Sequence, residues 1–499
     1  MENCYGVKNI MVAFDMLIKV DEMCKRYDRK GYPGIAIGVV ENGELVFCKG
    51  YGVANLDYDI PIDGNTIFHA CSIAKQFTAT CIALLIEERK LSLDQDIRSI
   101  FPQLKDCGNK ITISNLLHMT NGLPDVYDTA NLVCGIRENT NINLDEFWKY
   151  VTACDWTFFK PGERWSYGNT GYFILGEIVK AVTKIPLSQY ADEHIFKPLG
   201  MNNTFIRDDI TKIIKNRAVG YSNYDHLHFN DRYERYCSRN DTLSINEDNV
   251  DVGGAGQLWT TVRDFYLWDK NFYNNILGKC SKELIEILTT SGVLNDGEEC
   301  GYGYGLFLGE LYGNRLVHHG GSAGGYSAYY TQLPEKKLSV IALGNHTNFY
   351  HDLDVCNKDG GLTHSILKLL IGNEDGRANK VEIGNEDGNE SAEANIHDKI
   401  NASKLKAYEG SYRCEKLGVT YNVKIDNDKL FISNENRQNS NLDLYYTPAS
   451  RDTFISVPNK YIHYYCTTFS RDSNNEITSF SYRDDNETLQ EKFVFVKRG

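Results

Sequence analysis

Ser72 and Lys75 stand three residues apart at the head of an apolar-periodic run, "HACSIAKQFTATCIALLIEERK", residues 69–90. In a helix, positions i and i+3 share a face, so the lysine amine can approach the serine hydroxyl. A buried lysine loses its proton readily and can then act as the base that activates a hydroxyl nucleophile. Serine is also a favoured N-cap, and capping alone would account for Ser72. Lysine in a first turn is mildly wrong for the helix dipole, and this misfit draws attention to the pair.

Spacing alone says little. S-x-x-K occurs again at Ser365/Lys368 and Ser403/Lys406, and Y-x-N at Tyr167, Tyr221 and Tyr273. Order and surroundings discriminate among them. Ser72-Ile-Ala-Lys75 opens a helix. Tyr167-Gly-Asn169 lies in "PGERWSYGNTGYFILGEIVK", a loop running into a second helix, and His319-Gly-Gly321 lies in "LVHHGGSAGGYSAYY", a strand with a Gly-rich end.

These three motifs, in this order, resemble the serine β-lactamase and penicillin-binding-protein superfamily. The nearest branch is the class C β-lactamase-like one, with its esterases and D-amino-acid peptidases. "ITISNLLHMTNGLPD", "IFKPLGMNNTFI", "VGGAGQLWTTVRDF" and "YGYGLFLG" extend the resemblance over about residues 20–370. It implies acyl transfer with Ser72 as nucleophile, Lys75 as base, Tyr167 as proton shuttle to the leaving group and Asn169 as a substrate clamp. It also places His319 and Gly321 on the substrate side, and assigns the oxyanion hole to the N–H groups of Ser72 and Ser322. For Ser72 the physics agrees, because helix N-termini present unpaired donors. No metal or other cofactor is expected.

His319 departs from the penicillin-recognising pattern, which usually has lysine there to hold a substrate carboxylate. Histidine near neutral pH is often uncharged, and acidification toward pH 6 is expected to restore part of the missing cation. Hydrolysis of an ester, small amide or short peptide is therefore expected ahead of β-lactamase or D-Ala-D-Ala carboxypeptidase activity. A catalytically idle binding module is the reading from another class. Gly320-Gly-Ser322-Ala-Gly324 also matches the G-x-S-x-G elbow of α/β-hydrolases, but that elbow must run from strand into helix, and strand patterns follow here. Adjacent His318 and His319 on a strand point to opposite faces, which speaks against zinc.

A composition of 42% hydrophobic and 24% charged residues describes a globular chain, and a net charge of −14 without a basic tract speaks against nucleic acid or anionic membrane as partner. The N-terminus lacks the basic start of a secretory signal, and no run is long enough to span a bilayer. Fourteen cysteines at irregular spacing, with no C-x-x-C, suggest reduced thiols and a cytoplasmic setting.

Periodicity predicts the elements around these residues. An amphipathic helix covers 8–28, and "GIAIGVVENGELVFCKGYG" reads as a hairpin around Asn42-Gly43. Helical patterns dominate from about 70 to 290, and strands return through 302–345. Strands at both ends suggest one antiparallel sheet flanked by helices, with an inserted all-helical subdomain, forming an α/β domain over 8–371. Residues 372–400 read as an acidic flexible linker, with "IGNEDG" occurring twice. Period-two alternation over 401–499 predicts a small all-β barrel-like domain. Oligomeric state is open.

Overall fold

A computed structural model describes residues 15–129, 143–223, 243–248, 253–279, 281–357, 361–371, 405–426, 429–435, 444–450, 452–456, 466–483 and 494–498. The expected linker, 372–400, lies outside the described residues. The N-terminal helix (α1) is described over 15–24 and ends in the 3-10 turn Lys25–Tyr27.

The hairpin forms where expected, joining β1 (Ile35–Glu41) to β2 (Glu44–Tyr51). Asn42 and Gly43 both take positive φ, 54° and 78°, as a two-residue turn matched to strand twist requires. β3 (Phe68–Cys71) leads to α2 (Lys75–Glu87). α3 (Leu144–Ala153), α4 (Thr170–Thr183), β4 (Leu258–Thr260) and α5 (Val262–Asn274) follow. The chain then returns through β5 (Phe307–Leu311), β6 (Asn314–Ala323), β7 (Tyr326–Leu333) and β8 (Leu338–Gly344), and α6 (Leu362–Ile371) comes next.

The main sheet has the order β5-β6-β7-β8-β1-β2, antiparallel throughout, so both ends of the domain build it. Its strands alternate between two cores. Ala36, Val40, Ile341 and Leu343 join Val262, Phe265 and Trp268 of α5, while Ile37, Val39, Val340 and Ala342 join Val20 of α1 and Leu367 of α6. Burial on both faces explains why β1 and β8 read as unbroken apolar runs. Gly38 faces α5, where a Cβ would come 2.5 Å from Val262 Cγ1.

The middle of the domain is mainly helical but not all-helical, which corrects that expectation. β3, β4 and the pair Phe205–Ile206 form a three-stranded sheet of very short strands. Such strands leave almost no periodic signal, because pairing rather than propensity supports them. At the centre lies α2, every residue from Lys75 to Leu85 buried. Burial on every side marks an interior helix, and its polar Thr78 and Thr80 hydroxyls donate to the Gly254 and Gln76 carbonyls.

The C-terminal residues form a closed eight-stranded antiparallel barrel from β9 (Gly410–Cys414) to the last strand, Phe495–Lys497. Tyr412, Tyr421, Tyr446, Phe454, Phe469, Phe480 and Phe495 fill it. Lys416 Nζ, in the turn after β9, lies 2.8 Å from Asp155 Oδ1 just beyond α3. This exposed pair contributes on the order of 0–1 kcal/mol.

Candidate active site

β3 delivers Ser72 through a strained turn. Cys71 sits at φ 52°, ψ −132°, a region that costs a non-glycine residue about 1–3 kcal/mol and persists only where its surroundings impose it. Strand pairing supplies part of that constraint, with His69 opposite Trp259 and Cys71 opposite Leu258. Ser72–Ala74 then form a 3-10 turn that runs directly into α2. Neither the turn nor α2 has a side-chain cap, so capping does not account for Ser72.

Lys75 Nζ donates to Ser72 Oγ at 3.0 Å, to Asn169 Oδ1 at 2.9 Å and to the Ala255 carbonyl at 2.9 Å. The side chain is fully buried, and burial brings its pKa down to about 7, partly opposed by the negative charge of Asp125. Two of the three partners accept only. Once the amine is neutral, its two remaining N–H bonds go to Asn169 and Ala255, and the lone pair faces the Ser72 hydroxyl.

Tyr167 is 38% exposed at the mouth, with its ring centre 4.9 Å from Lys75 Nζ. It stacks on Phe307 at 6.3 Å and 11°. Asn169, the residue before α4, turns both ends of its amide inward: Oδ1 to Lys75, and Nδ2 to Asp125 Oδ2 at 3.2 Å. Its backbone N–H donates to the same carboxylate oxygen.

From the other side β6 closes on Ser72. Gly321 lies against the Ala70–Ser72 backbone, and exposed Ser322 follows it, opposite Ser327 of β7. His319 is buried, with both ring nitrogens occupied: Nδ1 2.5 Å from the Gly320 carbonyl oxygen and Nε2 3.0 Å from the Tyr302 hydroxyl. The carbonyl can only accept, so Nδ1 carries the proton and Tyr302 donates to Nε2. Burial, and secondarily the charge of Lys75, lower the His319 pKa to about 3. Its titration thus lies well below the pH 6 region expected from sequence.

The rival motifs lie apart. Ser365 and Lys368 are on α6, across the main sheet from α2, while Ser403 is outside the described residues. Gly320–Gly324 run along β6 into a turn and then β7, so no helix follows Ser322. His318 turns to Tyr329, its Nδ1 3.3 Å from the hydroxyl, away from the His319 partners. Among the described residues no group of three His, Cys, Asp or Glu side chains could hold a metal ion, and no helix is long and apolar enough to cross a membrane.

Three contributors escaped sequence reasoning. Asp125 ends "TNGLPD", a phrase noted only as supporting resemblance. Ala255 in "VGGAGQLWT" acts through a backbone carbonyl, which no side-chain pattern reveals. Gly254 beside it takes φ 116° and lies so near α4 that a Cβ would come 2.5 Å from the Tyr172 carbonyl oxygen, so the glycines there explain how Ala255 reaches Lys75. Tyr302, in "YGYG", is fully buried, and its contact with His319 ties it to the site.

The chain is 26% identical over 314 residues to a D-aminopeptidase of Gluconobacter oxydans, covering 63% of this chain and 56% of that one. It is 28% identical over 315 residues to penicillin-binding protein 4* of Bacillus subtilis, covering 61% and 66%. The chain thus spans little more than half the length of the first of these relatives. An octameric penicillin-binding protein homologue from Pyrococcus abyssi superposes with a TM-score of 0.58 at 24% identity, covering 97% of this chain and 100% of that one. The D-amino acid amidase of Ochrobactrum anthropi SV3, complexed with L-phenylalanine, gives 0.54 at 21% identity over 70% and 97%. These two likenesses establish the fold alone. The Beta-lactamase family model matches residues 20–362, which include all three motifs, and the chain accordingly belongs to the beta-lactamase family.

Proposed function

We propose that this chain is a serine hydrolase that forms an acyl-enzyme on Ser72 and acts on an ester, small amide or short peptide. The observation that carries the reading is the placement of Lys75 Nζ, buried and 3.0 Å from Ser72 Oγ, with a pKa brought near neutrality. Ser72 Oγ attacks the substrate carbonyl carbon and passes its proton to Lys75 Nζ. The oxyanion is met by the N–H groups of Ser72 and Ser322. The C–O or C–N bond to the leaving group breaks, and that group takes a proton delivered through Tyr167. Water then attacks the acyl-enzyme and releases the acid and free Ser72.

A neutral, internally bonded His319 supports uncharged groups at the position where penicillin-recognising relatives hold a carboxylate. The amide and peptide chemistry in the names of the D-aminopeptidase and D-amino acid amidase makes D-amino-acid amides the first amide class to try. The thiols of Cys24, Cys48, Cys71, Cys81, Cys154, Cys300 and Cys414 support a cytoplasmic setting. The proposed layout is a hydrolase domain over 8–371, a linker over 372–400 and the barrel beyond.

A fluorophosphonate probe should label the wild type and not Ser72→Ala, and the same substitution should abolish turnover of a p-nitrophenyl ester. Absence of labelling in the wild type would favour an idle binding module. Loss of activity in Ser322→Ala but not in Ser72→Ala would move the nucleophile to β6.

A further inference from the structure

The Ser72–Lys75 chemistry proposed above needs the lysine lone pair aimed at the serine hydroxyl, and a residue outside the three motifs supplies that aim. Asp125 caps the short turn Val126–Asp128, its Oδ1 accepting from the Tyr127 N–H at 2.8 Å. Its own backbone carbonyl accepts from the Thr129 N–H at 3.0 Å and from the Thr129 hydroxyl at 2.9 Å, which fixes the backbone that carries the carboxylate. Oδ2 then accepts twice from Asn169, from the backbone N–H and from Nδ2.

The consequence lies in the Asn169 amide. Were it flipped, its oxygen would face the acceptor-only Asp125 carboxylate, and its NH2 would face the donor Lys75. Both contacts would be repulsive. Asp125 therefore admits one orientation, with Oδ1 on Lys75 Nζ at 2.9 Å.

We propose that Asp125 is a positioning residue for acylation: its carboxylate fixes the Asn169 amide, which aims the Lys75 lone pair at Ser72, and its charge acts on that amine across one amide group.

The surroundings of Lys75 isolate this charge. From its own segment come the Ser72 hydroxyl and the Cys71 thiol, whose pKa burial pushes well above the ordinary value. The rings of Tyr167 and Tyr172 stand 4.9 and 5.9 Å from Nζ, and His319 faces it from β6 in neutral form. Asp248 lies near Cys71, with Oδ2 2.8 Å from Gln257 Nε2. Of the charges acting on Lys75, that of Asp125 has the largest effect, and it favours the protonated amine.

A sign follows that a merely structural role would not produce. Removing the carboxylate should lower the maximal rate, because Asn169 loses its anchor, and should also make Lys75 easier to neutralise. The test is kcat/KM for a p-nitrophenyl ester from pH 5.5 to 9 on the full chain. Asp125→Asn and Asp125→Ser are compared with Asp125→Glu. Serine retains an acceptor for the Tyr127 N–H, which keeps the turn capped if asparagine disturbs folding. Both neutral variants should lose roughly 10–100-fold at pH 8. Their acid limb should move about one pH unit lower, so that the ratio of activity at pH 6 to that at pH 8 rises several-fold. Asp125→Glu should lose rate with the limb in place. Active neutral variants with an unmoved or raised limb would overturn the inference. A wild type that neither turns over ester nor reacts with fluorophosphonate would instead defeat the hydrolase reading beneath it.

Discussion

A Cβ built on Gly321 would fall 3.1 Å from the Ser72 nitrogen and 2.5 Å from the Ala70 carbonyl oxygen. β6 thus touches the Ser72 backbone, and neither atom can move aside as a flexible side chain would. Gly321→Ala must push β6 and Ser72 apart, spreading the two N–H groups proposed to meet the oxyanion. Losing one such donor typically costs 100–1000-fold in kcat, and about 100-fold is expected here. Steady-state kinetics on the ester, with circular dichroism to confirm folding, decides it; activity within twofold of wild type would show that the contact is dispensable.

Lys75 must be neutral to accept the Ser72 proton, and burial places its pKa near 7. The kcat/KM profile should therefore fall about tenfold per pH unit below 7 and level off above it. Lys75→Arg keeps a cation that does not deprotonate, and should be inactive across the range. A profile flat down to pH 5 would remove Lys75 from the role of base.

For His319, with both nitrogens engaged and a pKa of about 3, no charge develops on acidification to pH 6. The ratio of nitrocefin to ester turnover should accordingly stay constant from pH 8 to pH 6, with ester favoured by orders of magnitude. A ratio climbing as pH falls would mean that the imidazole is accessible and titrates normally.

Stability should respond to acid through the buried imidazoles. His69 and His319 have pKa values lowered to about 3 and His318 to about 4, in each case chiefly by burial. Between these values and 6.5 the unfolded chain binds protons that the folded one refuses, so stability is lost as pH falls through this window. At pH 5 each contributes on the order of 2 kcal/mol of destabilisation. A thermal melt series should show Tm dropping from pH 6.5 to 4.5, and His318→Leu should shallow that slope. A Tm constant over the interval would be incompatible with neutral buried histidines.

For the proposed layout, composition puts the first cut of limited proteolysis between about 372 and 400, a stretch almost devoid of large apolar residues. Two fragments should result, the larger retaining fluorophosphonate reactivity. Initial cleavage within the helical middle would place the boundary elsewhere.

Legibility in the sequence tracked the range of each interaction. The Asn42-Gly43 hairpin was readable because its determinants are adjacent, and the Ser72–Lys75 contact because helix geometry brings i and i+3 together. Motif order pointed to Tyr167, Asn169 and His319. The partners that orient them were not readable. Asp125 meets Asn169 from 44 positions away, and Ala255 meets Lys75 from 180 away through a carbonyl every residue possesses. The sheet of β3, β4 and Phe205–Ile206 escaped for a related reason: strands of two to four residues exist only because a neighbour pairs with them.

The β1–β8 pairing has a bearing on how this molecule is made. The Gly34 N–H donates to Asn345 Oδ1, across 311 positions. Closing a loop of that size costs about 5 kcal/mol of chain entropy before any contact repays it. At a synthesis rate of about 5–20 residues per second, the N-terminal hairpin waits on the order of 15–60 s for its partner strand to emerge. For most of that interval β6, which lies against Ser72, has not yet been made. On the proposed hydrolase reading, the site around Ser72 is therefore completed late in synthesis, once β6 has joined the sheet and come to rest against the Ala70–Ser72 backbone.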